Sequence, residues 1–203
     1  MTQKKYLLAI CSIVLLHAGM FAQNSGDLVD ITAIDSTIRL DIRYATANNF
    51  THTVLYPVAK AKLRRAAAES LAAVQRDVAR LGLSLKVYDG YRPLSIQKKL
   101  WKTMPNRIFV ADPAKGSRHN RGAAVDLTLI DSLGTELEMP TAYDSFSPRA
   151  AQNYRKLPGI QLKNRETLKS AMLRHGFLPM RSEWWHFDFN SAYSYGIMDE
   201  PLE

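Results

Sequence analysis

Two short stretches of this chain carry side chains that could do chemistry together. "SRHNRGAAVDLTL" (117–129) sets His119 and Asp126 seven residues apart, with Gly122 between them and an apolar run around Asp126. "SEWWHFDF" (182–189) sets Glu183 three residues before His186. Alone, a histidine among aromatics reads as a hydrogen-bonded core residue. Taken with His119 and Asp126, it completes two imidazoles and one carboxylate. That is the donor set of a catalytic zinc ion, which leaves a fourth position for water. Glu183 is then available as the base such a water needs. In one regular strand over 183–189, Glu183 and His186 would face opposite sides. The reading therefore requires Glu183 at an irregular strand start or a bulge. Of the other histidines, His175 precedes a helix-ending Gly176, where imidazole interacts with the helix C-terminus. His52 lies in "NFTHTVLYP", a loop, and reads as a surface residue.

These side chains need a scaffold. "TIRLDIRY" (37–44) alternates Ile38, Leu40 and Ile42 with polar residues, a strand pattern. "AKAKLRRAAAESLAAVQRDVARLGL" has apolar residues at helical spacing and is stopped by Gly82. "SLKVYDGYRP" reads as a strand over Leu85–Tyr88 and a turn at Asp89-Gly90. "LSIQKKLWKTM" reads as a short helix, 123–130 as a strand, "NRETLKSAMLRHG" as a helix closed by Gly176, and "WWHFDF" as a final strand. Helices and strands mix without strict alternation. The fold class expected is α+β, one domain, with a central antiparallel or mixed sheet and helices packed against it.

Composition bounds the setting. Residues 1–22 begin with Lys4 and Lys5, continue through an apolar core and end on Ala22, the layout of a secretory signal peptide. The apolar core is shorter than the ~20 residues of a membrane span. An uncleaved anchor is the alternative, and lipidation at Cys11 is disfavoured by Ile10 before it. The expectation is export, to the periplasm, of a single domain over 23–203 with no stable membrane span. Cutting there lowers the formal net charge from +8 to +6 and removes the only cysteine, so the mature chain has no thiol nucleophile and no disulfide. Lysines and arginines are scattered without a basic, aromatic-interleaved run, so no nucleic-acid partner is expected.

The motifs resemble those of a known family. "SRHNRGAAVDLTL" is similar to the S-x-H-x-x-G-x-A-x-D pattern, and "EWWH" to the E-x-W-H pattern, of the D-alanyl-D-alanine dipeptidases. "YDGYRP", "RYATANNF" (43–50) and "AYDSF" (142–146) resemble further segments of that family, so the likeness spans roughly residues 30–190. The resemblance implies zinc held by His119, Asp126 and His186, with Glu183 as general base and then proton donor. It implies Arg92 as the stabiliser of the oxyanion, and Ser117, Tyr44, Asp144 and, more loosely, Tyr56 as substrate-binding positions. Asp144 suits a ligand ammonium, and the substrate implied is a small D-amino-acid dipeptide. Arginine cannot lose its charge and offers several donors to a developing oxyanion. Gly122 permits a sharp bend between His119 and the strand of Asp126.

Structural alternatives stand beside each residue. Arg92 could pair with Asp89 beside the turn. Asp144 could cap a turn before Ser145, and Ser117 could cap the turn holding His119. Asp188 could orient a ligand from behind or be an ordinary strand residue. At the level of function, a peptidoglycan stem peptidase such as a D-Ala-D-Ala carboxypeptidase is the near alternative. A non-catalytic cell-wall module stapled by zinc is the more distant one, since structural zinc usually has four protein ligands. No G-x-S-x-G is present, which disfavours a serine hydrolase.

Overall fold

The strand Ala124–Ile130 is buried at every position. A strand in that condition must be paired on both edges and covered on both faces. The computed structural model describes residues 27–203 and provides both. In chain order the elements are β1 (Leu28–Asp30), α1 (Ile31–Ile34), β2 (Arg39–Leu40), β3 (Lys62–Arg64), α2 (Arg65–Ala79), β4 (Ser84–Asp89), α3 (Leu94–Thr103), β5 (Ala124–Ile130), α4 (Gly159–Arg174), β6 (Phe177–Pro179) and β7 (His186–Phe189). The main sheet has the order β2-β4-β5-β7-β6. Only the β2–β4 pair is parallel, so the sheet is mixed and the fold is α+β. A separate antiparallel pair joins β1 to β3.

Alternation along β5 divides the two layers. Val125, Leu127 and Leu129 alternate with Asp126 and Thr128, and all are buried. The apolar set belongs to the core with Leu71, Val74 and Val78 of α2 and Leu168 and Met172 of α4. The opposite face of β5 therefore turns Asp126 away from that core, toward the loops that follow β4 and precede β5.

Cross-strand register then lines up polar residues on that face. Asp126 is the partner of His186 on β7, and Ala124 is the partner of Asp188. On the other edge the β4–β5 register runs Lys86↔Thr128 and Val87↔Leu127, then shifts to Asp89↔Asp126. An unbroken register would set Tyr88 opposite Asp126. The bulge between Val87 and Asp89 moves Asp89 into that place instead.

Several elements differ from the sequence expectation. The strand expected over 37–44 is only Arg39–Leu40, because the chain leaves the sheet into a 3-10 turn at Arg43–Ala45. The helix expected from Asn164 starts at Gly159, directly after Pro158, which cannot donate a hydrogen bond and is tolerated at a helix start. The strand expected from Trp184 begins at His186. The signal peptide expected over 1–22 lies outside the described residues. Among the described residues, no helix is long and apolar enough to cross a membrane.

Candidate metal centre and its cavity

His119 begins the 3-10 turn His119–Arg121, which Gly122 ends in the left-handed region at φ +67°. The backbone angle calls for glycine there, and a β-carbon would in addition displace the end of the Leu28 side chain, whose Cδ2 would stand 2.5 Å away. The turn swings the chain into β5, and Asp126 follows on the face opposite the helices. His186 enters from β7 beside it. His119 Nε2 and His186 Nδ1 are 3.1 Å apart. Asp126 Oδ1 is 2.9 Å from His186 Nδ1 and 3.4 Å from His119 Nε2.

The surroundings of each imidazole decide which nitrogen is bare. His119 Nδ1 is 2.7 Å from the carbonyl of Gly90 and must donate to it. His186 Nε2 is 2.8 Å from Asp188 Oδ1 and donates there. The nitrogens facing inward then carry lone pairs, as metal ligands do. Asp126 Oδ2 accepts from the Tyr143 hydroxyl at 3.0 Å, while Oδ1 is buried without a hydrogen-bond donor. With both imidazoles in that tautomer three lone pairs converge, and a metal ion can take the place of the proton that His186 Nδ1 and Asp126 Oδ1 otherwise share at 2.9 Å. Their separations are close to the about 3.3 Å expected between donors on a tetrahedral ion with bonds of about 2.0–2.1 Å. These residues fit a metal ion of the zinc type, and they form the one group of three or more His, Cys, Asp or Glu among the described residues that could hold a metal ion.

The electrostatics agree. Burial disfavours the His186 imidazolium, yet hydrogen bonds to Asp126 and Asp188 win and raise its pKa to about 10. Burial also opposes ionisation of Asp126, but the two histidines hold it well below the usual carboxylate range. Without a metal the cluster retains a proton as its cation, so it is a site that demands positive charge.

Glu183 lies in the irregular stretch before β7, not in the strand itself. Gln152 Nε2 donates to the carbonyls of Glu183 and Trp184 at 3.4 and 3.3 Å, pinning this stretch. Glu183 Oε2 ends 3.9 Å from His186 Nδ1, beside the cluster. Burial is the largest influence on it and raises its pKa to about 7.

The cluster opens onto a cavity of ≈ 130 Å³. Arg92, Tyr44, Ser117, Asp144 and Glu183 line it with the three cluster residues, and Phe50, Phe109 and Phe146 supply an apolar wall. Arg92 is 7% exposed and pairs with Asp89 through Nε at 3.0 Å and Nη2 at 2.6 Å, with Nη1 on Gln97 Oε1. The pairing with Asp89 and the place at the cavity therefore coexist. Three of its five N–H groups are used, and its guanidinium carbon is 5.1 Å from the Tyr44 ring centre. Ser117 Oγ accepts from the His119 amide at 3.2 Å, so it caps that turn as well as lining the cavity. Asp144 adopts φ +56° and accepts from the Tyr44 hydroxyl at 3.1 Å. Burial, then the nearby Asp126, pushes its carboxyl well above the usual range. Tyr56 does not line the cavity: its hydroxyl donates to Asp89 Oδ1 at 2.7 Å.

Two contributors, Tyr143 and Asn120, carried no role in the sequence reading, and a third, Asp89, was read only as a possible partner of Arg92. Asp89 is fully buried and takes Arg92, Tyr56 and the Gly90 amide. A lone acid closing an apolar strand, three residues before an arginine, was its only signal. Tyr143 had no signal beyond its place in "AYDSF". Asn120, fully buried, donates to the Arg92 carbonyl at 2.7 Å and accepts from the Ser117 amide at 2.6 Å, tying the two loops together. Asp188 has a weak signal: two residues after His186 in a strand, it shares that histidine's face.

A family model described as D-ala-D-ala dipeptidase matches residues 24–201. The D-alanyl-D-alanine dipeptidase of Escherichia coli (strain K12) is 36% identical over 176 residues, covering 87% of this chain and 91% of that protein. The D-alanyl-D-alanine dipeptidase of Streptomyces coelicolor is 31% identical over 184 residues, covering 80% and 91%. That of Enterococcus faecalis (strain V583) is 29% identical over 185 residues, covering 81% and 88%.

Proposed function

This chain belongs to the D-Ala-D-Ala dipeptidase family of peptidases, and from that premise we propose that it hydrolyses the D-Ala-D-Ala dipeptide in a zinc-dependent reaction. The observation that carries the zinc reading is the convergence of three bare donor atoms whose outward partners are already occupied. His119, Asp126 and His186 would hold the ion. Zinc, when bound, polarises a carbonyl and lowers the pKa of water to about 7.

The protein's own groups have separable tasks. Glu183 is buried beside the cluster without belonging to it. With a pKa raised to about 7, it suits taking a proton from the attacking water and returning it to the leaving amine. Arg92 has N–H groups to spare and meets the negative charge that grows on the carbonyl oxygen. The Asp89 pair and the Tyr44 ring keep that guanidinium in one orientation. Asp144, held at the cavity wall by Tyr44, takes the substrate ammonium, whose charge offsets the burial of the carboxylate. Ser117 contributes a hydroxyl beside the His119 turn. The cavity is smaller than the roughly 300–1,000 Å³ of drug-sized sites, which suits a dipeptide better than a longer stem.

The test incubates zinc-loaded protein with D-Ala-D-Ala, L-Ala-L-Ala and a stem pentapeptide. The expected result is release of D-alanine from the first alone. Equal cleavage of the pentapeptide would replace the dipeptidase reading with a carboxypeptidase one.

A further inference from the structure

A second cavity of ≈ 300 Å³ adjoins the first, sharing Arg107, Ala111 and Arg118 with it. Tyr44, Asp144 and Phe146 line the first and not the second, so the second extends the site beyond the part that holds Asp144. Its charged lining is Arg107, Lys115, Arg118 and Arg121 against one carboxylate, Asp112. Asp112 is paired with Arg107 at 2.7 Å. Arg121 Nη1 donates to the Tyr195 carbonyl, which leaves its charge uncompensated. Arg118 lies over the ring of Tyr193 at 5.0 Å, and its Nε is 3.2 Å from Asp188 Oδ2. Among the described residues, Lys115 Nζ and the terminal nitrogens of Arg118 make no hydrogen bond or salt bridge with a protein group, and the nearest carboxylate to feel Lys115, Asp112, is already paired with Arg107. A concave surface with such an excess of one sign attracts the opposite one, and a guanidinium fork matches a carboxylate.

We infer that this basic groove receives the side-chain carboxylate of the substrate's second residue, so that D-dipeptides ending in an acidic residue are substrates. The inference rests on the dipeptidase reading above. With the ammonium at Asp144 and the scissile carbonyl at the histidine cluster, the leaving residue extends away from Asp144. Arg118 adjoins His119 in the chain and, like Arg107, borders both spaces; with Arg107 paired to Asp112, the terminal nitrogens of Arg118 are the open cations at the passage between them. An acidic side chain there exchanges water for charge-assisted hydrogen bonds. An equally large neutral amide does not gain the Coulombic part.

The experiment compares kcat/KM of the zinc-loaded enzyme for D-Ala-D-Ala, D-Ala-D-Asp and D-Ala-D-Asn at low and high salt. D-Ala-D-Asp should exceed D-Ala-D-Asn by about tenfold at low salt, the yield of about two partly exposed charge pairs. Salt should shrink that ratio. Lys115→Glu should lower the ratio about fivefold or more, by removing one attraction and adding one repulsion; the α-carboxylate common to both peptides cancels from the ratio. Normal cleavage of D-Ala-D-Ala with equal rates for the acidic and amide peptides overturns the groove assignment alone. So does an acidic preference that survives Lys115→Glu. No cleavage of any of the three overturns the dipeptidase reading and this inference with it. The salt series on the unaltered protein remains decisive even where the variant fails to fold: an acidic preference that salt does not shrink overturns the groove assignment.

Discussion

Asp188 tests whether the imidazole of His186 is aimed from behind. Its carboxylate accepts from His186 Nε2 at 2.8 Å and is shared with Arg118 Nε at 3.2 Å. Burial opposes its charge, but the His186 hydrogen bond keeps its pKa below the usual value. Asp188→Asn preserves shape and an acceptor oxygen, so it removes only the charge assistance. A hydrogen bond to a charged group contributes about 1.5–3 kcal/mol, and a neutral one about 0.5–1.5. The difference, roughly 1–1.5 kcal/mol, predicts about tenfold weaker zinc binding. Asp188→Ala removes the acceptor altogether and frees the ring to carry its proton on Nδ1, the donor atom. A loss nearer 100-fold is expected there, the upper end of what partners behind a metal ligand contribute. The assay is zinc competition against a chelator of known affinity, with thermal midpoints as a control for folding. Zinc affinity in Asp188→Ala equal to that of the unaltered protein would refute the reasoning, since ring orientation would then be set elsewhere.

The other expected outcomes concern the base, the ammonium site, the loop junction and export. Glu183→Gln should retain zinc while kcat falls by about 10²–10⁴, the usual worth of general acid–base catalysis; metal loss would show that Glu183 is a ligand. In the unaltered enzyme activity should fall with acidity as Glu183 takes up a proton, at a pH below about 7 because a bound divalent cation replaces the single charge of a protonated His186 and pulls more strongly. A kcat/KM profile that keeps this limb in Glu183→Gln contradicts the assignment. N-acetyl-D-Ala-D-Ala should be cut far more slowly, because its neutral amide forfeits the ammonium pair and the buried Asp144 carboxyl, already pushed well above its usual range, takes up a proton instead; Asp144→Asn should narrow the gap between blocked and free dipeptide, and an unchanged gap would remove Asp144 from this role. Asn120→Ala strands the Arg92 carbonyl and the Ser117 amide and should cost roughly 2–4 kcal/mol by chemical denaturation; a stability change near zero would mean water replaces both bonds. Export should remove about 22 residues, and an N-terminus at Met1 by mass spectrometry of the exported protein would contradict it.

Much of the candidate metal centre was legible along the chain, because its information is local. A histidine, a glycine bend and an aspartate in an apolar run define a turn feeding a buried strand, and period-2 alternation sends that aspartate away from the apolar core. The second histidine and its neighbouring glutamate could be paired with them by donor chemistry. The geometric conflict between Glu183 and His186 in one strand even called for the irregular stretch found before β7. The short strands β1, β3 and β6 were not legible, since three residues hold too little pattern and exist by pairing with partners elsewhere.

Tertiary structure decided what surrounds the donors. Asp89 reaches the site only because a bulge in β4 adds one residue to its register against β5, and no property of "KVYDGY" alone specifies where a bulge forms. Tyr143 reaches Asp126 across 17 residues, and the Gly90 carbonyl reaches His119 across 29. Tyr56, placed by motif with the substrate contacts, turns its hydroxyl to Asp89 because that buried carboxylate lies within its reach. Sequence spacing carries the identity of the donor atoms, while their protonation and aim come from hydrogen bonds made by segments that only the folded sheet brings together.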